Sequence, residues 1–232
     1  MALKTLYTAI GRFERRQNGC GRSCPVIVLG GKEYMADMQE MVVWTCLNWR
    51  IARREEIEAL YADTASGAAI SGERTLEDCI DRLLIRGLLV SGSGDTEYDA
   101  LYDLLSTLSI IPAVGNLPLR ILTFLKLTLL NHVPCSAAKK LFYKDKRTDR
   151  ENQVLQLARQ ALLSTAEIIK CVEKDIRLLP CEESILSLLY DDSDTTSDNI
   201  ACMVKNCASS QDVILAVANL YLRQQILSLI HI

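Results

Sequence analysis

Apolar residues are patterned differently in the two parts of this chain. As far as about residue 111, short apolar stripes are separated by glycines and charged clusters. Beyond that point apolar residues recur at helical spacing almost to the last residue. Leu3, Leu6, Tyr7 and Ile10 have the i, i+3, i+4, i+7 spacing of a helix face, so a short helix is expected at the start. Pro25-Val26-Ile27-Val28-Leu29 is a strand candidate. Gly30-Gly31 is a hairpin signal, and Lys32-Glu33-Tyr34-Met35 is expected to return antiparallel.

Three helical patterns follow. The first begins at a capping box in Asp37-Met38-Gln39-Glu40, where the Asp37 carboxylate accepts from the backbone three residues on and Glu40 reaches back. Met41, Val43, Trp44, Cys46 and Leu47 supply its apolar side. The second, residues 53–61, buries Ile57, Leu60 and Tyr61 and exposes Arg53, Arg54, Glu55, Glu56 and Glu58. The third starts at Thr75, places Glu77 and Asp78 in its first turn, and lines Leu76, Cys79, Ile80, Leu83 and Leu84 on one face. Arg86-Gly87 closes it. The apolar run Leu88-Leu89-Val90 and the tip Ser91-Gly92-Ser93-Gly94-Asp95 complete the unit.

A helix–helix–helix–strand–glycine order over residues 37–105 resembles a winged-helix domain of the kind found in bacterial transcriptional regulators. The resemblance implies a recognition helix over residues 75–86 and a wing after it. Downstream, residues 98–108 read as helix and 110–118 as a linker. Helices are then expected over 118–132, 135–143, 148–178, 181–190 and 197–230, the last with a break near Ala208-Ser209-Ser210. The expected fold is therefore mainly α: a basic arm (1–24), a winged-helix-like domain with a small β-hairpin and wing (25–111), and an all-α domain (117–232) for dimerisation or sensing.

Charge complicates the function this implies. Residues 1–111 carry 12 Lys/Arg against 16 Asp/Glu, and the remainder 14 against 13. The half that the resemblance would turn toward DNA is thus the more acidic one, whereas DNA affinity rests on neutralising phosphates.

The arginines available for double-stranded DNA are Arg74 and Arg82, whose forks fit guanine edges, and Arg50, Arg53 and Arg54, placed for the backbone. Arg12, Arg15, Arg16 and Arg22 add phosphate contacts from the arm. Against them stand Glu73, Glu77, Asp78 and Asp81 on or beside the third helix, and a wing tip without Lys or Arg. Two functions follow. One is a DNA-binding regulator, dimeric through the apolar stretch 214–232. The other is a non-catalytic interaction or scaffold protein whose winged helix docks a protein. They are separated by whether these arginines form one continuous positive face.

Other chemistry is sparse. Nine cysteines sit mostly within apolar helical patterns, as Cys46, Cys79, Cys171 and Cys202 do, which suits reduced thiols in a cytoplasmic protein. Cys20-Gly21-Arg22-Ser23-Cys24 is a candidate redox pair. With Cys202 and Cys207 far off it does not spell the full tetrahedral set of a structural zinc site. No nucleophile elbow, metalloprotease helix or phosphate-binding glycine motif is present, so neither an enzyme nor a cofactor is implied. The segment 139–150 is basic with interleaved aromatics, a further candidate for an acidic partner. Residues 117–133 are the most apolar stretch. They are interrupted by Pro118, Arg120, Lys126 and His132, so a buried helix is expected there and no membrane span.

Overall fold

The computed structural model describes residues 3–17, 23–68, 74–113, 146–179, 182–190, 194–196 and 199–230. The chain begins with strands, not with the expected helix and basic arm. Strand β1 (Lys4–Ala9) is followed by a meander of β2 (Arg12–Gln17), β3 (Ser23–Leu29) and β4 (Lys32–Met35). The helical spacing of Leu6 and Tyr7 is overridden because each faces a different core across an alternating strand. Leu6 packs toward the C-terminal half and Tyr7 toward the N-terminal half. The expected β3–β4 hairpin is present, with Gly30 and Gly31 both at positive φ (56° and 79°), the conformation its tight turn requires.

Helices α1 (Met38–Leu47), α2 (Arg54–Ala68) and α3 (Leu76–Ile85) come next, then strand β5 (Leu89–Gly94). The capping box of Asp37 and Glu40 starts α1, and Thr75 with Asp78 caps α3 in the same way. α1 is buried on nearly all sides through Met41, Val42, Val43, Trp44, Cys46 and Leu47, because α2, α3 and β1 surround it.

The glycine segment is not a wing tip. Ser91 to Gly94 lie within β5, which pairs antiparallel with β1 from Ala9↔Leu89 to Lys4↔Gly94. Tyr7 also bridges Ala52, between α1 and α2, through reciprocal bonds of 2.9 and 3.0 Å. Helix α4 (Glu97–Leu105) lies flush on the other face of β5. A Cβ at Gly92 would stand 2.5 Å from the Ala100 carbonyl oxygen, and one at Gly94 would stand 2.6 Å from the Ala100 nitrogen. Glycine is needed there for close approach, not for a turn.

The C-terminal half contains α5 (Asp149–Gln160), α6 (Thr165–Glu173), α7 (Glu182–Leu189), α8 (Ile200–Val204) and α9 (Ser210–Leu222). A second correction concerns its class. The expected linker is strand β6 (Ser109–Pro112), and it pairs antiparallel with β7 (Ile226–Ile230), at the end of the helical stretch expected over 197–230. The described residues are 50% helix and 22% strand, with nine helices and three small sheets, so the fold is mixed α/β and not mainly α. The expected helix over 148–178 is two helices, because Ala161 is extended and Ser164 with Glu167 forms a new capping box. The helices expected at 118–132 and 135–143 and the apolar run 117–133 lie outside the described residues. No described helix is long and apolar enough to cross a membrane.

Two apolar cores result. One gathers Ile27, Val43, Trp44, Leu47, Ile57, Ile80, Leu83 and Leu89 from β1, β3, β5 and α1–α3. The other runs from Tyr102 and Leu105 of α4 through Val154, Ile168, Val217 and Leu229. The packing thus divides between β5 and α4, near residue 95, and the two cores share the β1–β5 pair as a common wall.

Candidate functional site

Arg74 and Arg82 pair with acids at the start of α1, while their side chains stay 40% and 50% exposed. Glu40, 2% exposed in its side chain, sits at the third position of α1, where its Oε2 accepts from the Asp37 backbone nitrogen at 3.2 Å. Its carboxylate also receives Arg82 Nε at 2.6 Å and Arg86 Nη1 at 2.9 Å, with Arg74 Nη1 at 3.8 Å. Arg74 pairs directly with Asp37 as well, and Arg86 Nη2 donates to the Met35 carbonyl. A carboxylate in this position has lost its water, a cost that three guanidinium groups offset. The hydrogen bond that Arg82 donates to Glu40, with the ion pair, raises the Arg82 guanidinium above its ordinary pKa.

The remaining candidates are divided between paired and unpaired. Arg53 pairs with Glu97, and Arg54 with Glu58 at 3.4 Å and Glu77 at 3.6 Å. On β2, Arg12 meets Glu14 at 2.6 Å, while Arg16 meets Glu14 at 2.9 Å and Glu33 at 2.7 Å. Arg15 and Arg50 are exposed, and neither guanidinium has an acidic partner among the described residues. Among the described residues, α3 exposes Glu77, Asp78 and Asp81 beside its arginines. Arg22 and Cys20 lie outside the described residues, as does most of the basic segment 139–150. Cys24 lies in β3 opposite Arg16.

The outer surface of α3 has an apolar feature that composition does not signal. Ile85 is 85% exposed, and the nearby Met35 and Met38 are 71% and 63% exposed. The bond from Arg86 to the Met35 carbonyl ties the end of α3 to the end of β4. Of the apolar stretch expected to dimerise, Leu215 and Leu222 are 44% and 48% exposed. Val213, Ile214, Val217, Leu220, Ile226 and Leu229 are buried in the chain's own second core.

A third arrangement joins the two halves. Trp49 follows α1 in the left-handed region, with φ 55°, which few non-glycine residues adopt. It is held there by Tyr221 of α9, whose hydroxyl accepts from the Trp49 nitrogen at 3.0 Å and donates to the Ala9 carbonyl at 2.9 Å. Thr8 Oγ1 lies 3.0 Å from the same hydroxyl and 2.7 Å from the Arg50 carbonyl. Burial pushes the Tyr221 phenol above its ordinary pKa, with bonds from Thr8 and Trp49 partly opposing it.

Beside this joint, a cavity of about 550 Å³ is walled by Phe13, Trp44 and Trp49, and a second hollow of about 520 Å³ contains Arg50 and Gln224. A polar hollow of about 510 Å³ lies elsewhere, among Arg150, Asp175, Arg177 and Asp212.

The convergence of Arg74, Arg82 and Arg86 on Glu40, and the roles of Trp49 and Tyr221, are not indicated by the sequence, since each depends on partners far along the chain. Buried thiols complete the inventory. Burial pushes Cys171 up to about 12 and also raises Cys79, where Glu40 adds to the effect. Thiols so shifted stay protonated and unreactive at neutral pH. No protein-family model, curated protein or solved structure matches this chain.

Proposed function

We propose that this protein is a non-catalytic interaction module that docks another protein on the outer surface of α3 and the adjoining end of β4. The observation that carries this reading is the fate of the arginines. Arg74, Arg82 and Arg86 are paired with Asp37 and Glu40, α3 exposes Glu77, Asp78, Asp81 and Ile85, and Met35 at the end of β4 and Met38 at the start of α1 are exposed as well. Exposed methionines and a branched aliphatic ringed by charge have the make-up of a protein interface, with an apolar centre and a polar rim. The same acids oppose the phosphate attraction on which duplex binding depends. The complementary partner carries an apolar anchor flanked by Lys or Arg.

Two measurements test this. Titration with mixed-sequence duplex DNA at about 50 mM salt is expected to give no salt-sensitive complex. Affinity capture from cell extract, followed by reconstitution with the purified partner, is expected to succeed with wild type and fail with Ile85→Glu at unchanged melting temperature. Equal recovery by both proteins overturns the reading. So does tight, steeply salt-dependent DNA binding that is lost in the Arg74→Ala, Arg82→Ala double variant, and that result would establish the regulator function instead.

A further inference from the structure

We propose that Met35 and Met38 form a reversible oxidation site, and that a peroxide converting them to sulfoxides switches off docking beside α3. The switch rests on the docking function proposed for that surface. Met35 closes β4 and Met38 opens α1, on either side of the Asp37 cap. They are the most exposed of the described methionines: Met203, in α8, is less so, and Met41 is buried in α1. A thioether reacts without first losing a proton, so access to solvent decides which of them peroxide reaches. The thiol of α3 itself offers no competition, since Cys79 is fully buried and held protonated.

The step needs only hydrogen peroxide. The methionine sulfur attacks one peroxide oxygen, an S–O bond forms as the O–O bond breaks, and water leaves with both protons. Sulfur gives up two electrons and the peroxide takes them. Hydrogen peroxide is uncharged, so Glu77, Asp78 and Asp81 do not repel it. The product exchanges a flexible apolar tip for a polar one. A partner's apolar anchor then faces that oxygen, and burying it without a donor costs affinity. The fold does not depend on either thioether. The capping box of Asp37 and Glu40 holds the start of α1 through main-chain and carboxylate atoms, and Arg86 grips the Met35 main-chain carbonyl.

Fluorescence anisotropy with a labelled Lys-Lys-Leu-Leu-Lys-Lys peptide, an apolar anchor between basic flanks, tests the switch before and after hydrogen peroxide treatment. The untreated protein is expected to bind it and Ile85→Glu is not. Oxidation is expected to weaken binding about tenfold or more, the cost of burying an unpaired polar group, at unchanged melting temperature. Methionine sulfoxide reductases with a thiol reductant, one for each epimer, are expected to restore it. The double variant Met35→Leu, Met38→Leu should show the same affinity before and after peroxide, whereas Met203→Leu should lose binding on oxidation as wild type does. Mass mapping should find sulfoxide at Met35 and Met38 before Met203 and Met41. Wild-type binding that survives oxidation, a loss equally large in the double variant, or sulfoxide appearing first at Met203 or Met41 overturns the switch and leaves the docking function standing. Failure of the untreated protein to bind, or equal binding by Ile85→Glu, overturns the docking function and the switch with it.

Discussion

Two buried glutamates, one in each core, occupy the same local position and are partnered very differently. Glu40 and Glu151 are each the third residue of their helix, each reciprocate a capping box, and each is 1% exposed. Glu151 closes onto the Thr148 nitrogen at 2.9 Å and meets one guanidinium, Arg223, with Nη1 at 3.3 and 3.4 Å from its two oxygens. Glu40 meets three, the two nearest at 2.6 and 2.9 Å, and all three come from α3 or its approaches. The first arrangement is a helix cap with a neighbour. The second fastens α3 to α1, and it uses up the arginines that a nucleic-acid reading requires. The sequence pattern of a recognition helix is thus compatible with a helix whose basic side chains serve the fold.

The largest expected effect lies in that contrast. Glu40→Ala should destabilise the protein by about 3 kcal/mol or more in denaturant titration, the usual cost of removing one partner from a buried ion pair. Glu151→Ala should cost about 1–2 kcal/mol, close to the loss of a cap with one long ion pair. Equal losses at the two positions would mean that the extra arginines contribute nothing and that both sites are simply caps.

A smaller effect is expected where the cores meet. Gly92→Ala places a methyl group against the α4 backbone and should cost about 1–3 kcal/mol through forced separation of helix and strand. If β1 and β5 do transmit stability between the cores, tertiary signals from both halves should shift together in this variant. Separate transitions would show that each core stands alone.

The same position shows what the sequence conceals. Ser-Gly-Ser-Gly has turn composition, and nothing local distinguishes a flexible tip from a strand pressed by a helix; the deciding partner, α4, packs from outside the motif. β1 is concealed likewise, since Leu3, Leu6, Tyr7 and Ile10 fit a helix and the strand that claims them lies at residues 89–94. β7 is an apolar run that reads equally well as a helix end. By contrast the signals contained within four residues, Asp37 with Glu40 and Thr75 with Asp78, were legible and form as caps. The arginines were visible as candidates, but not their partners, because ion pairs across α1 and α3 depend on the packing.

The smallest expected effect extends the comparison to an exposed member of the same type. Asp78 is the third residue of α3, reciprocating Thr75 as Glu40 does Asp37, but at the surface. Its carboxylate accepts from the Thr75 hydroxyl at 2.7 Å and nitrogen at 3.2 Å, and these bonds hold it below the ordinary aspartate pKa, with Arg74 adding a little. A depressed folded-state pKa means stability that is fully present above the unfolded value of about 4 and is lost as pH falls through the lower folded value. Wild type should therefore be more stable than Asp78→Asn at neutral pH, and the gap should close as the pH is lowered from about 5 toward 3. Denaturant midpoints measured for both proteins across that range check the sign. A gap that widens in acid would show that the Thr75 bonds favour the protonated carboxyl, and that this surface cap differs in kind, and not only in burial, from the one at Glu40.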